Sequence, residues 1–142
     1  MRKLFHFDSP AAVYQAEACV IACFDARFDQ ALRKFLKRRG IAVYDQIRIP
    51  GSAKSLAAPE CEPDRDFVLR MLRVSMRLHG AGRVLLFGHN ECGAYPGASP
   101  ETIGVDLLEA ARFLRASEPT LAIECYFVDF DGVYALSERA AN

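Results

Sequence analysis

The sequence predicts a single α/β domain: a mostly parallel sheet with helices on both faces and a hairpin at its C-terminal edge. Three observations point that way. Short, almost wholly apolar runs alternate with segments whose apolar residues recur every three or four positions, the strand–helix rhythm of a sheet buried on both sides. Over 142 residues, 51% are hydrophobic and 25% charged, a globular composition with enough apolar mass for one core. Near the end, Asp131-Gly132 separates two further strand patterns, as a tight hairpin turn would.

Residues 1–17 form a short N-terminal segment. Ala18 to Cys23 is an apolar run bounded by polar residues and reads as the first buried strand. Phe28, Ala31/Leu32 and Phe35/Leu36 mark one face of a helix that Gly40 stops. Ile41 to Ile47 reads as the second strand, and an irregular stretch follows from Arg48 to Pro63. A long helix from about Asp64 to Leu78 turns Phe67/Val68, Met71/Leu72, Val74/Ser75 and Leu78 inward, and His79-Gly80 closes it. Arg83 to Gly88 is the clearest strand. The loop from Gly93 to Pro100 leads to a helix of about Glu101 to Ala116, with Leu107, Ala111 and Leu114 inward. Leu121 to Phe130 and Val133 to Leu136 supply the last strands. With no internal repeat or linker, residues 1–142 are expected to form one domain.

Composition excludes several functions. The formal net charge is zero, so there is no electrostatic footprint for nucleic acid. The basic run Arg33 to Arg39 lies on a helical pattern and reads as a solvated face. No apolar run approaches the roughly 18 residues of a membrane span. Met1-Arg2-Lys3 is followed by a stretch broken by His6, Asp8 and Pro10, unlike a signal peptide. A cytoplasmic protein is expected. In a reducing compartment its five cysteines serve metal ligation, redox chemistry or packing rather than a disulfide framework.

Two segments could do chemistry. Cys23-Phe24-Asp25-Ala26-Arg27 ends the first strand, and Gly88-His89-Asn90-Glu91-Cys92-Gly93 ends the third. Ligands of open α/β sheets collect at such strand ends, near the point where strand order reverses. One histidine and two cysteines make a soft donor set suited to zinc. Three protein donors leave a fourth position for water or substrate, and zinc can bring the pKa of bound water to about 7. Asp25 is close enough in sequence to reach the same metal, and Arg27 could pair with it and hold it ionised. Were that pair to break, Asp25 could become the fourth ligand and shut the site.

Plainer roles compete for each residue. Cys23 could be core packing, His89 or Asp25 a helix cap, and Cys92-Gly93 an ordinary turn. Cys19 and Cys125 read as core, Cys61 as an exposed thiol, and Met71 and Met76 as core or edge filler. His6 and His79 have no clustered partner in the sequence and read as structural or surface residues.

The two segments resemble the β-class carbonic anhydrases. Cys23-Phe24-Asp25-Ala26-Arg27 stands where that family has Cys-x-Asp-Ser-Arg, and Gly88 to Gly93 stands where it has Gly-His-x-x-Cys-Gly. Asp45 to Gly51 is similar to the family's Arg-Asn-Ala-Gly loop, and Tyr126 to Leu136 to its last strands. The likeness covers the chain from about Ala18 onward. Ala26 replaces the usual serine, Arg48-Ile49-Pro50-Gly51 lacks the usual Asn-Ala, and the N-terminal segment is short. The resemblance implies a β-carbonic-anhydrase-like fold, zinc held by Cys23, His89 and Cys92, an Asp25–Arg27 catalytic dyad, and a Gly93 backbone N–H near the zinc-bound solvent. It also implies reversible hydration of carbon dioxide to bicarbonate by zinc hydroxide, in a homodimer or higher homo-oligomer. Two rivals keep the metal: hydrolysis of a related small molecule such as carbonyl sulfide or carbon disulfide, and a catalytically silent zinc-binding sensor or interaction domain. A redox role is least supported, since Cys-x-x-Cys is absent.

Overall fold

The computed structural model describes residues 1–137; the last five positions of the expected domain lie outside them. Five strands form one sheet: β1 (Ala18–Ala22), β2 (Tyr44–Arg48), β3 (Arg83–His89), β4 (Ala122–Val128) and β5 (Val133–Leu136). Their order is β2-β1-β3-β4-β5. The first four run parallel, and β5 returns antiparallel to β4. This is the expected α/β architecture with a hairpin edge. Strand order reverses between β1 and β3, since β2 lies on one side of β1 and β3 on the other.

Side-chain alternation splits the core in two. Val20 and Ala22 of β1 and Leu85 and Phe87 of β3 face α1 (Asp29–Arg38), where Phe28, Leu32 and Leu36 cover them. Cys19, Ile21, Val84 and Leu86 face the other helices: α2 (Lys54–Ala57), α3 (Glu62–His79) and α4 (Pro100–Ser117). Side chains such as Leu86 and Leu107 lose all exposure, each worth about 1.5–3 kcal/mol of burial. Helix α4 approaches β3 so closely that a Cβ on Gly88 would sit 2.6 Å from Ile103 Cγ2. Glycine at 88 is therefore what lets α4 lie over the strand that ends in His89.

Helix ends follow local chemistry. The Ser99 hydroxyl accepts a hydrogen bond from Thr102 N ahead of Pro100, which starts α4. Gly80, left-handed at φ +67°, stops α3.

Three expectations shift. Strand β2 spans Tyr44–Arg48 rather than 41–47; Ile41 drops into the core ahead of it, and only one edge of β2 is paired. The irregular stretch contains a one-turn helix, α2. On α3 the buried side chains are Val68, Leu69, Leu72 and Ser75, whereas Phe67 and Leu78 are exposed. The inward stripe sits about one position round the helix from the expected one. The basic run on α1 is solvated as expected, and among the described residues no helix is long and apolar enough to cross a membrane.

Candidate metal centre

Cys23 directly follows β1, and His89 is the last residue of β3. The register pairs Ala22 with Phe87, so both strands deliver their last residues to the same end of the sheet. Cys92 follows in a turn where Glu91 takes a left-handed φ of +51° and Tyr95 N donates to Cys92 O. One donor atom each from Cys23, His89 and Cys92 lies within 4.8 Å of the others, and all three residues are buried. The two sulfurs are 4.0 Å apart and not bonded to each other. Two thiolates sharing a tetrahedral zinc at about 2.3 Å would stand about 3.8 Å apart, so the spacing fits such an ion.

His89 supplies the sharper sign. Its Nδ1 donates to Asn90 O at 2.8 Å, which fixes the tautomer and leaves Nε2 with a free lone pair. That Nε2 is buried and, among the described residues, stands out as a side-chain polar atom without a hydrogen-bond partner. Phe28 holds the ring in place, with centroids 4.6 Å apart.

The electrostatics favour a thiolate at Cys23 and a thiol at Cys92. Burial pushes the Cys23 thiol up, but the neighbouring His89 imidazole and the backbone N–H groups of Asp25 and Gly51 outweigh it, bringing Cys23 down to about 7. Burial raises Cys92, with the adjacent Cys23 charge adding to it. Burial pulls His89 down, yet Cys23 and the Asn90 carbonyl leave it raised overall.

Asp25 is not among the three clustered donors. Its two oxygens face Arg27: Nε lies 3.1 Å from each and Nη2 lies 2.8 Å from Oδ2. Those bonds hold the carboxyl at about 2. Asp25 also accepts from Arg27 N and caps the 3₁₀ turn Ala26–Phe28, so the capping role and the ion pair coexist in one side chain. A cavity of about 350 Å³ opens here, lined by Cys23, Phe24, Asp25, Pro50, Gly93 and Ala94. Gly93 does not need glycine's backbone freedom, and a Cβ there would meet nothing within 4 Å.

Sequence reading missed two contributors. Arg48 donates to Cys23 O at 2.8 Å and pairs with Asp29, tying the Arg48 loop to the end of β1. Buried Ser52, at φ +51°, donates to Ile21 O at 3.0 Å. Arg48 lies in the Asp45–Gly51 stretch singled out by its likeness to Arg-Asn-Ala-Gly, which was the available signal, and Ser52 directly follows that stretch. Cys19 and Cys125 are core, Cys61 is exposed, and Met71 and Met76 pack against the core edge, as expected.

Three soft donors gathered where a parallel sheet reverses its strand order define an α/β protein equipped to hold a metal ion. Its family follows from sequence: the model of the family described as "Putative carbonic anhydrase" matches residues 14–136, and the chain belongs to that family. No curated protein sequence matches it significantly. Solved structures share the fold. A carbonic anhydrase from Streptococcus mutans has 17% identity over 93% of this chain and 89% of its own, with a TM-score of 0.66. A β-carbonic anhydrase from Trichomonas vaginalis has 14% identity over 92% and 87%, with a TM-score of 0.62. An apo carbon disulfide hydrolase has 13% identity over 85% and 79%, with a TM-score of 0.57.

Proposed function

We propose that this chain is a zinc-dependent carbonate dehydratase that interconverts carbon dioxide and bicarbonate. The observation behind this reading is the buried, partnerless Nε2 of His89 beside two thiols, one of them drawn down to about 7. Metal ligands must be deprotonated; Cys23 is inclined that way, while Cys92 and His89 are raised and would give up their protons to the ion. Cys23, His89 and Cys92 would hold the ion. Zinc, when bound, supplies a Lewis acid that makes water acidic enough to attack carbon dioxide near neutral pH.

The chain's own residues supply the rest. Asp25, ionised by Arg27, has carboxylate lone pairs with which to accept a hydrogen bond from the attacking water and orient it. Arg27 keeps that carboxylate charged and turned in one direction. Phe24, Pro50 and Ala94 give the cavity apolar walls suited to a small uncharged molecule, and Gly93 offers a backbone N–H without a side chain to fill the space. The net reaction releases one proton per bicarbonate formed, and it leaves through solvent.

The same apolar walls favour a second reading, hydrolysis of carbonyl sulfide with one water to carbon dioxide and hydrogen sulfide, or of carbon disulfide with two waters to carbon dioxide and two hydrogen sulfide. A cytoplasmic setting is supported by Cys19, Cys23, Cys61 and Cys92, which stand as thiols. A homo-oligomer is supported by the exposed Leu4, Phe5, Phe7 and Val13 of the N-terminal segment.

Stopped-flow carbon dioxide hydration on zinc-loaded protein tests the proposal. Turnover is expected, with Asp25→Ala lowering it by about 100-fold or more. Sulfide release without hydration would favour the second reading. One zinc per chain with neither activity would leave only a silent metal-binding domain.

A further inference from the structure

The turn between β4 and β5 places an aromatic ring where nothing in the sequence suggested a role. Phe130 is 61% exposed. Its ring centroid lies 5.4 Å from that of Phe28, which in turn packs on His89 at 4.6 Å. The Arg27 guanidinium carbon sits 5.4 Å from the Phe28 centroid and 5.7 Å from the Phe130 centroid. Arg27 thus rests against two rings while its nitrogens reach Asp25. On the other flank, Arg27 Nη2 donates to Glu91 O at 3.1 Å, and Nη1 lies 3.5 Å from the Glu91 carboxylate.

The turn that presents Phe130 is itself tied to this loop. Asn90 Nδ2 donates to Asp129 Oδ1 at 2.9 Å, and the same oxygen accepts Phe130 N at 2.8 Å. Asn90 Oδ1 accepts Glu91 N at 2.9 Å, and Asn90 N donates to Val128 O. Asn90 therefore joins the hairpin turn to the Glu91 carbonyl that receives Arg27. An arginine that is 47% exposed would otherwise sample many rotamers; two rings and a carbonyl narrow that choice.

We propose that Phe130 is a positioning residue: from the β4–β5 turn it holds Arg27 in the orientation that keeps Asp25 paired with the guanidinium and away from the Cys23, His89 and Cys92 donors. This deepens the function proposed above and rests on its reading of Asp25 and Arg27. Phe130 touches the ring and guanidinium beside the site, not the reacting atoms, so it acts through Arg27. Losing the ring would loosen Arg27, and a released Asp25, two residues from Cys23, would then compete with solvent and anions for the metal.

Phe130→Leu keeps apolar bulk but removes the ring face, whereas Phe130→Tyr keeps it. A cation–π contact at an exposed site corresponds to about a two- to five-fold change in equilibrium. The first readout is the Arg27 Nε–H signal in side-chain ¹H–¹⁵N spectra of the full chain. Its exchange with water should speed up at least two-fold in Phe130→Leu and stay unchanged in Phe130→Tyr. The second is thiocyanate titration of the cobalt-loaded protein, followed by its visible bands. Phe130→Leu should bind the anion two- to five-fold more weakly than wild type, and Phe130→Tyr equally well. Equal Arg27 exchange in wild type and Phe130→Leu would overturn the proposal, as would faster exchange in both variants. Faster exchange with unaltered thiocyanate binding would overturn its second half, the restraint on Asp25. Should wild type take up no cobalt while the exchange rates change as expected, the metal reading falls and the hold on Arg27 stands.

Discussion

Two histidine-centred clusters sit on this sheet, and among the described residues only the second has a buried nitrogen without a hydrogen-bond partner. In the first, His79 Nδ1 lies 2.8 Å from Asp45 Oδ2, Ser75 Oγ donates to the same oxygen at 2.6 Å, and Tyr14 Oη donates to Oδ1 at 2.6 Å. The Tyr14 ring lies over His79, with centroids 4.1 Å apart. One carboxylate satisfies three donors and pins the N-terminal segment and α3 to β2. In the second cluster, among the described residues, His89 Nε2 makes no hydrogen bond and faces two thiols. Leaving such an atom unsatisfied costs about 1–3 kcal/mol. The first arrangement serves the fold by itself. The second makes physical sense with an ion that offsets the cost.

That contrast breaks first at the donors. Removing one, as in His89→Ala or Cys23→Ser, should lower zinc affinity by more than about 100-fold, since even residues behind the ligands are worth 10- to 100-fold. Zinc content measured after dialysis should fall from near one per chain toward zero, whereas Asp45→Asn should retain it. Full zinc retention in both donor variants would dissolve the distinction between the clusters.

Much of this was legible in the sequence. β1 and β3 are covered on both faces, so their residues are nearly all apolar, and the polar residues after them stood out as strand ends. That let Cys23, His89 and Cys92 be paired across 69 positions, and the structure does bring them together. His79 was the converse. It reads from sequence as a structural or surface residue, and the structure gives it a structural role, but its partner Asp45, 34 positions away on the edge strand β2, is not visible as a cluster in the sequence. The apolar Ile41-Ala42-Val43 extends the strand pattern backward, yet those residues lead into the strand rather than belong to it. Phe130 gave no signal, because a phenylalanine at a turn tip reads as a strand end until Arg27 is seen beneath it.

The satisfied cluster should answer to stability rather than to metal. Asp45→Ala strands Ser75, Tyr14 and His79 together, at an expected cost of about 2–3 kcal/mol. Ser75→Ala removes one hydrogen bond to a charged acceptor and should cost about 1.5 kcal/mol, less where His79 shifts to compensate. Urea unfolding of the zinc-loaded variants measures both, and zinc content should be unaltered. Wild-type unfolding midpoints in both variants would mean that the cluster is an ornament of the surface.

The smallest effect is in pH. Burial pushes the Asp45 carboxyl up, but hydrogen bonds from Ser75, Tyr14 and His79 outweigh it and leave it below its ordinary 3.8. A depressed carboxyl binds its proton less readily folded than unfolded, so its stabilisation is complete above 3.8 and is lost as pH falls through the lower folded value. Unfolding of wild type and Asp45→Asn between pH 5 and pH 3 should therefore give two curves that converge as the pH drops, with the wild type losing its advantage only below about 4. Asp25, held near 2 by Arg27, stays charged through most of that range in both proteins. The convergence thus belongs to Asp45, and curves that stay parallel would show that its three partners add nothing to the fold.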